Sequence, residues 1–433
     1  MSIPQRATAG RRERAVLAGV SLRRGDRADL DEHLDELAQL VETAGAIVVG
    51  RIVQDRGALA PATLLRRGKV EELKLLMSEA RAGLMVCDED LSPAQVRNLE
   101  EALEAVVLDR SALILDIFAR RARSREARTQ VELAQLRYML PRLTRQWTHL
   151  SRQAGGIGTR GVGETQLETD RRLIRRRIAH LASELDRIER ERRERRKGRG
   201  GIPRVALVGY TNAGKSTILN LLTGAGTFVE DRLFATLDPL VRRCSSSGEE
   251  PFLLIDTVGF IRKLPHHLVA SFRSTLEEAA DADLLLHIVD ASSPALADHL
   301  RATHEALAGL GFGSRPSLVV LNKVDRLTGP LRTRLRSDYP EAILISALDP
   351  KDGARLRAAV RSKLGHGVME ESISIPEGSV DLLARLCKLV RVTGTTIGDG
   401  QVEVRFQSRA EDRERIAQLM RAALAGEALG TTS

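Results

Sequence analysis

The sequence predicts an α/β fold in four parts: an N-terminal α/β domain over 1–116, a basic helical hairpin over 117–200, a larger α/β domain over 201–366 and a small C-terminal α/β domain over 367–433. Three observations predict it. Short β-prone runs alternate with helical patterns on both sides of the middle region. Two long amphipathic stretches meet at a glycine cluster. A strand-like run passes directly into G-x-x-x-x-G-K-S at Gly209 to Ser216, and a helical pattern follows.

The N-terminal part reads "AVLAGVSL", "DEHLDELAQLVETAG", "AIVVGRIVQ", "GKVEELKLLMSEARAG", "LMVCDED", "SPAQVRNLEEALE" and "AVVLD". Strand-like and helix-like runs take turns, which argues a mostly parallel sheet. Over the whole chain of 433 residues, 42% are hydrophobic and 29% charged, which suits folded domains and not disorder. "MSIPQRATAGRRERAVLAGV" has no apolar h-region, and no stretch reaches the ~18 apolar residues of a membrane helix, so a cytoplasmic protein without membrane insertion is expected. Cys87, Cys244 and Cys387 lie far apart without C-x-x-C spacing, which argues against disulfides and zinc.

Leu133, Leu136, Leu140, Leu143, Trp147 and Leu150 follow a heptad seam, and Pro141 should break the first helix. Leu167, Ile174, Ile178, Leu181, Leu185 and Ile188 form a second stripe, so the two helices should pair antiparallel. Residues 117–200 hold 23 Lys and Arg against 10 Asp and Glu, an excess of 13 in a chain whose net charge is +9. Such an excess repels itself unless a polyanion relieves it, and with 3% aromatics the expected contact is with RNA phosphates, not stacked bases. Between the helices, "QAGGIGTRGVGETQ" fits G-x-G-x-x-G at Gly156, Gly158 and Gly161. Helices flank it where a dinucleotide site needs a preceding strand, so the expectation is a flexible tip, built from Gly155, Gly156, Gly158, Arg160, Gly161 and Gly163, that approaches another backbone.

"RVALVGYTNAGKST" has the context a phosphate loop requires. Backbone N–H groups along Gly209, Tyr210, Thr211, Asn212, Ala213, Gly214, Lys215, Ser216 and Thr217 should cradle phosphates at a helix N-terminus, with Lys215 on the β- and γ-phosphates and Ser216 on Mg2+. "PFLLIDTVGF" follows, with Asp256 placed for Mg2+, then Thr257, Val258 and Gly259, whose N–H meets the γ-phosphate. "PSLVVLNKVD" ends in Asn322, Lys323, Val324 and Asp325. A carboxylate at Asp325 takes both donors of guanine, a pair adenine does not offer. "EAILISAL" brings Ser346, Ala347 and Leu348, whose backbone suits guanine O6. Four elements in this order, each at a strand's C-terminal end, imply a P-loop GTPase domain binding GTP and GDP. "DRLFATLDPLVRR" supplies the switch between them: Phe234, Ala235, Thr236, Leu237 and Asp238, with Thr236 completing the Mg2+ shell. Lys215, Thr236 and Gly259 are the expected catalytic contacts.

Ras-like proteins carry a water-orienting Gln after the Asp-x-x-Gly glycine; here Phe260 stands there, which predicts slow intrinsic hydrolysis stimulated by a partner. Asn212 is a candidate for polar help at the phosphates, through a monovalent cation such as K+, or a plain loop former.

With these residues in place, the chain resembles HflX-type GTPases over nearly its whole length, in "LSPAQVRNLE", "VELAQLRYML", "GGIGTRGVGETQLETDRRL", "VGYTNAGKST", "LFATLD" and "DTVGFIRKLPHHLVASFRSTLEE". The resemblance implies the four-part layout, binding to the large ribosomal subunit and its rRNA, ribosome-stimulated hydrolysis, and splitting or rescue of stalled ribosomes under stress. A monomer, cytoplasmic and partly ribosome-associated, is expected. The hydrophobic residue at Phe260 is also a family trait, while Leu240 and Val241 depart from the pattern. The C-terminal stretches "ESISI", "VDLLARLCKLV", "QVEVRFQ" and "RERIAQLMRAAL" match the family least. Two other readings stand beside this one: an ATP-driven RNA remodeller using the N-terminal domain, and a nucleotide-controlled assembly switch that acts without catalysis.

Overall fold

The computed structural model describes residues 12–21, 27–55, 59–144, 162–197, 202–224, 233–234, 237, 240–245, 250–262, 282–309, 311–313, 315–365, 368–376, 380–398, 401–409, 416–417 and 419–420. The chain divides into two compact units. One comprises 1–187 with 229–238 and 261–274; the other comprises 188–228, 239–260 and 275–433.

The first unit is built on a parallel sheet of β1 (Arg14–Ser21), β2 (Ile47–Asp55), β3 (Leu84–Cys87) and β4 (Val106–Asp109), in the order β2-β1-β3-β4. Helices α1 (Arg27–Thr43), α2 (Arg67–Glu79) and α3 (Pro93–Leu103) link the strands. Val16, Ala18 and Val20 of β1 pack with Leu73, Met77, Leu99 and Leu103. Alternate β1 residues Ala15 and Leu17 are also buried, so both faces of the sheet are covered. Ser92 caps α3 in a reciprocal box with Gln95, and Pro93 takes the first helical position.

A further helix, α4 (Arg110–Arg121), starts immediately after β4, capped by the Asp109 carboxylate. The boundary expected at 116/117 therefore falls inside a helix. Arg110 is fully buried; its guanidinium pairs with Asp88 at 2.7 Å and with Glu36. Asp109 is a second buried hub. It accepts from Tyr138 Oη at 2.7 Å, Arg142 Nη2 at 2.8 Å and the Leu91 amide at 3.2 Å. These bonds fix the end of α5 (Arg125–Met139), where Pro141 sits in a 3-10 turn over Leu140–Thr144. Residues 145–161 lie outside the described residues, and with them Trp147, Leu150, Gly155, Gly156, Gly158, Arg160 and Gly161. Gly163, expected in the tip, falls instead in the first turn of the next helix, α6 (Val162–Lys197). Arg125 bonds Glu184 at 2.9 Å and Arg177 bonds Glu132 at 2.8 Å; as one number rises the other falls, so α5 and α6 run antiparallel.

The second unit centres on a sheet of β5 (Arg204–Gly209), β6 (Leu240–Cys244), β7 (Phe252–Asp256), β8 (Leu284–Asp290), β9 (Ser317–Asn322) and β10 (Ile343–Leu344), in the order β10-β9-β8-β5-β7-β6. Only β6 is antiparallel to its neighbour among these described pairs. Leu284, Leu286 and Ile288 of β8 face one core with Ile218, Leu219, Leu356 and Val360, while Val289 joins another with Leu296. The helices carrying those residues are α7 (Lys215–Thr223), α8 (Leu296–Gly309) and α10 (Pro350–Gly365); α9 is Gly329–Asp338. Both faces are covered, which is why these strands read as unbroken apolar runs. The C-terminal stretch forms an antiparallel sheet of β11 (Val368–Pro376), β12 (Arg391–Gly398) and β13 (Gln401–Arg409), ordered β11-β13-β12, with α11 (Val380–Leu389). Leu386, Val404 and Phe406 form its core.

Candidate active site

The middle of the second sheet sets the site. β5 lies between β7 and β8, so the loop after Gly209 emerges where β7 ends at Asp256 and β8 at Asp290. Glycine is required twice. Gly209 has φ +148 and Gly214 φ +95; a Cβ would strike the Ile288 carbonyl at the first and the Asn322 carboxamide at the second. Asn212 also sits in the left-handed region, at φ +59, as a short polar residue can. Its side chain is exposed.

Lys215 opens α7 and is buried at 7% exposure, its Nζ donating to the carbonyls of Tyr210 at 2.8 Å and Gly209 at 3.1 Å. Burial pushes its ammonium down to about 8, partly opposed by the Asp256 carboxylate. An ammonium held inside an apolar frame on two carbonyls is one that phosphate oxygens can recruit. Ser216 Oγ donates to Asp256 Oδ2 at 2.8 Å, with Asp256 at 1% exposure. A hydroxyl and a carboxylate are hard oxygen donors, the class Mg2+ takes. The space above Gly259 is tightly bounded: a Cβ there would lie 2.7 Å from Thr211 Cγ2 and 2.9 Å from Lys215 Nζ. Thr211, Lys215 and Gly259 thus converge at one point.

Phe260 is buried and stitched to the phosphate loop from both sides. Its N–H donates to Gly209 O at 3.0 Å, and its carbonyl accepts from Thr211 N at 2.7 Å. The Tyr210 ring stacks on His299 of α8, centroids 4.0 Å apart and 16° from parallel.

On the base-reading side, Asn322 donates from Nδ2 to Ala213 O and accepts at Oδ1 from Ala347 N, both at 2.9 Å. Lys323, at φ +63, lays its Nζ 2.7 Å from Asp290 Oδ2. Burial works against the Asp290 charge, yet Lys323 and Ser292 hold its carboxyl below the usual range. Asp325 is exposed and takes the Ser346 hydroxyl at 2.6 Å on Oδ1, while Ser346 N donates to Asp352 Oδ2 at 2.7 Å. The Leu348 side chain is 76% exposed and bonds nothing here; its amide reaches Ser346 Oγ at 3.3 Å.

So Gly209 to Thr217, Asp256 to Gly259, Asn322 to Asp325 and Ser346 to Leu348 meet at the C-terminal edge of one sheet. Of the switch residues, Ala235, Thr236 and Asp238 lie outside the described residues. Phe234, expected at the nucleotide, has its ring buried against Phe118 at 4.6 Å, edge to face, and Leu237 is buried too; both side chains are committed to packing. Asp290, Asp352 and His299 went unmarked in the sequence reading. Asp290 had a signal, since it ends the apolar run "LLLHIVD" as Asp256 ends its own. Among the described residues, no group of three His, Cys, Asp or Glu side chains could hold a metal, and no helix is long and apolar enough to cross a membrane.

Three family models match the chain in series. Residues 31–119 match the family "GTP-binding GTPase N-terminal", 121–199 the "GTP-binding GTPase Middle Region" and 204–323 the "50S ribosome-binding GTPase". GTPase HflX of Escherichia coli is 41% identical over 89% of this chain and 92% of its own. The chain belongs to the HflX family of GTPases. GTPase HflX of Lacrimispora saccharolytica is 51% identical over 72% of this chain and 74% of its own. Among solved structures, a GTP-binding protein of Sulfolobus solfataricus in complex with GDP is 26% identical over 82% of this chain and 99% of that one, with TM-score 0.43. Like its family, this chain binds guanine nucleotide and hydrolyses GTP.

Proposed function

We propose that this GTPase binds the large ribosomal subunit, is stimulated by it, and splits or rescues stalled ribosomes under stress. GTP would bind with its phosphates on Gly209 to Thr217 and its base on Asp325, with Ser216, Asp256 and Thr236 holding Mg2+. Bound there, Mg2+ supplies charge neutralisation on the β- and γ-phosphate oxygens. Lys215 leaves its carbonyls for the phosphates, and the Gly259 N–H marks the γ-phosphate. The attacking water forms a bond to Pγ, the bond from Pγ to the bridging oxygen breaks, GDP leaves with that electron pair, and the water's proton ends on phosphate.

The observation that carries the ribosomal reading is the arginine-rich helix α6. Arg172, Arg175 and Arg176 are exposed at neighbouring positions on it, a spacing that suits an RNA phosphate backbone. The match of residues 204–323 to a 50S ribosome-binding GTPase family supports the same partner. The glycine-rich tip between α5 and α6 is the proposed rRNA contact, and ribosomes are the proposed source of the rate that Phe260 does not supply.

Co-sedimentation with separated subunits, in GTP analogue and in GDP, tests this. We expect GTP-dependent pelleting with the large subunit and a turnover rate that climbs when that subunit is added. Replacing Arg172, Arg175 and Arg176 with Glu should flatten the salt dependence of binding by about one unit of slope for each phosphate no longer neutralised. Equal pelleting with both nucleotides, or turnover indifferent to ribosomes, would refute the reading.

A further inference from the structure

Hydrolysis needs a polar group to orient the attacking water, and the position that carries it in Ras-like proteins cannot serve here. Phe260 offers only a phenyl ring, it is buried, and its backbone is bonded to Gly209 and Thr211 on its two sides. Swinging that segment toward the phosphates would break both bonds.

Two hydroxyls beside the loop are committed. Ser216 is bonded to Asp256, and the Thr257 hydroxyl donates to Leu207 O at 2.7 Å. His287, under the loop on β8, is held neutral: burial pushes its imidazole down to about 4, with His304 and Lys215 adding to the effect. Thr211 differs. Its side chain is 6% exposed, and its Oγ1 is buried with no hydrogen-bond partner among the described residues. Burying a hydroxyl without a partner is costly, and a catalytic role is one of the reasons a protein keeps such a group. Its neighbours identify the ligand. The Thr211 methyl Cγ2 is the closest side-chain atom to the position a Cβ on Gly259 would take, at 2.7 Å, with Lys215 Nζ next at 2.9 Å, and the hydroxyl is carried on the same Cβ as that methyl. Gly259 and Lys215 are the two groups whose chemistry addresses a γ-phosphate.

We propose that Thr211 is a catalytic residue: its hydroxyl donates to a γ-phosphate oxygen and accepts a hydrogen bond from the attacking water, orienting that water on Pγ. The threonine takes no proton. The water's proton passes to phosphate, and Thr211 is unchanged at the end of the cycle. A hydroxyl has one donor and two lone pairs, so it can hold both partners at once. The assignment concerns the intrinsic reaction and does not depend on the ribosomal reading.

The test is Thr211→Val, which keeps shape and removes the hydroxyl, beside Thr211→Ser, which keeps the hydroxyl. Intrinsic GTP turnover is measured with no ribosomes, together with Kd for GDP and for a non-hydrolysable GTP analogue, and with the melting temperature of the nucleotide-free protein. In Thr211→Val we expect kcat lower by about a hundredfold. GDP affinity should stay within about threefold, since GDP lacks the contacted phosphoryl, and the nucleotide-free melting temperature should be equal or higher because an unsatisfied polar group is gone. Thr211→Ser should keep most of the rate. Thr211→Ala serves the same purpose if the valine variant does not fold. Wild-type turnover without the hydroxyl would overturn the proposal, as would loss of GDP affinity in step with rate, which marks a residue that only shapes the loop.

Discussion

Asn322 donates from its carboxamide to the carbonyl oxygen of Ala213 at 2.9 Å, joining residues 109 apart in the chain. The other end of the same carboxamide accepts from Ala347. One side chain therefore holds the phosphate loop and the guanine-reading turn at a fixed separation, and it does so with every polar atom it uses buried.

Replacing Asn322 with Ala leaves the Ala213 carbonyl and the Ala347 amide without that partner, at about 1–3 kcal/mol for each buried group. The expected outcome is GDP affinity weaker by at least about tenfold together with a lower urea midpoint. Fluorescent GDP titration and equilibrium unfolding check it. Unchanged GDP affinity would show that the separation is held by other contacts.

Asp325→Asn tests base recognition. The exposed carboxylate would accept from two guanine donors, whereas a carboxamide would present a donor where guanine also has one. GTP affinity should fall by about a hundredfold or more, and xanthosine nucleotide, which carries a carbonyl in place of the amino group, should bind better than GTP. Competition between the two nucleotides is the measurement, and a retained preference for GTP would sink the assignment.

Lys215 predicts a pH effect with a definite sign. Its value in the folded, nucleotide-free protein is about 8, below the ordinary 10.5, because burial disfavours the charge. Between these values the unfolded chain binds more protons, so nucleotide-free stability should rise as pH climbs from about 8 toward 10.5. Phosphates favour the ammonium, so nucleotide binding near pH 8.5 should take up a proton and binding near pH 6.5 should not. Calorimetry in buffers of different ionisation enthalpy reads this directly, and buffer-independent heats at both pH values would contradict it.

Arg110 anchors the first unit. Arg110→Met removes the cation between Asp88 and Glu36 while keeping most of the volume, leaving acidic groups buried beside it. Breaking a buried pair from one side costs about 3–5 kcal/mol. Urea unfolding should show a loss of that size, and adding Asp88→Asn and Glu36→Gln should recover part of it. A single variant as stable as the wild type would mean that water reaches this cluster.

The nucleotide elements were legible because each is a local pattern: an apolar run, then a short polar motif at its end. Helix α4 was not. It starts with no linker after Asp109, and its outer face is short, marked only by the i,i+4 pair of Asp116 and Arg120 beside buried Leu113, Ile114, Leu115, Ile117 and Phe118. β12 was missed for the opposite reason, since "RVTGTTIG" is glycine- and threonine-rich and nearly all exposed where described, without alternation. Gly163 belongs to the first turn of a long helix although glycine favours loops, a preference that local sequence alone cannot overrule.

By itself, the sequence determined the family and the order of the nucleotide motifs, because those depend on residue type and short spacing. Only the tertiary structure decided which side chains hold those motifs in place: Asp290 under Lys323, Asp352 behind Ser346, His299 against Tyr210, and Thr211, its methyl against Gly259. Those partners come from strands and helices brought together by sheet order, and sheet order is set by packing across the whole core.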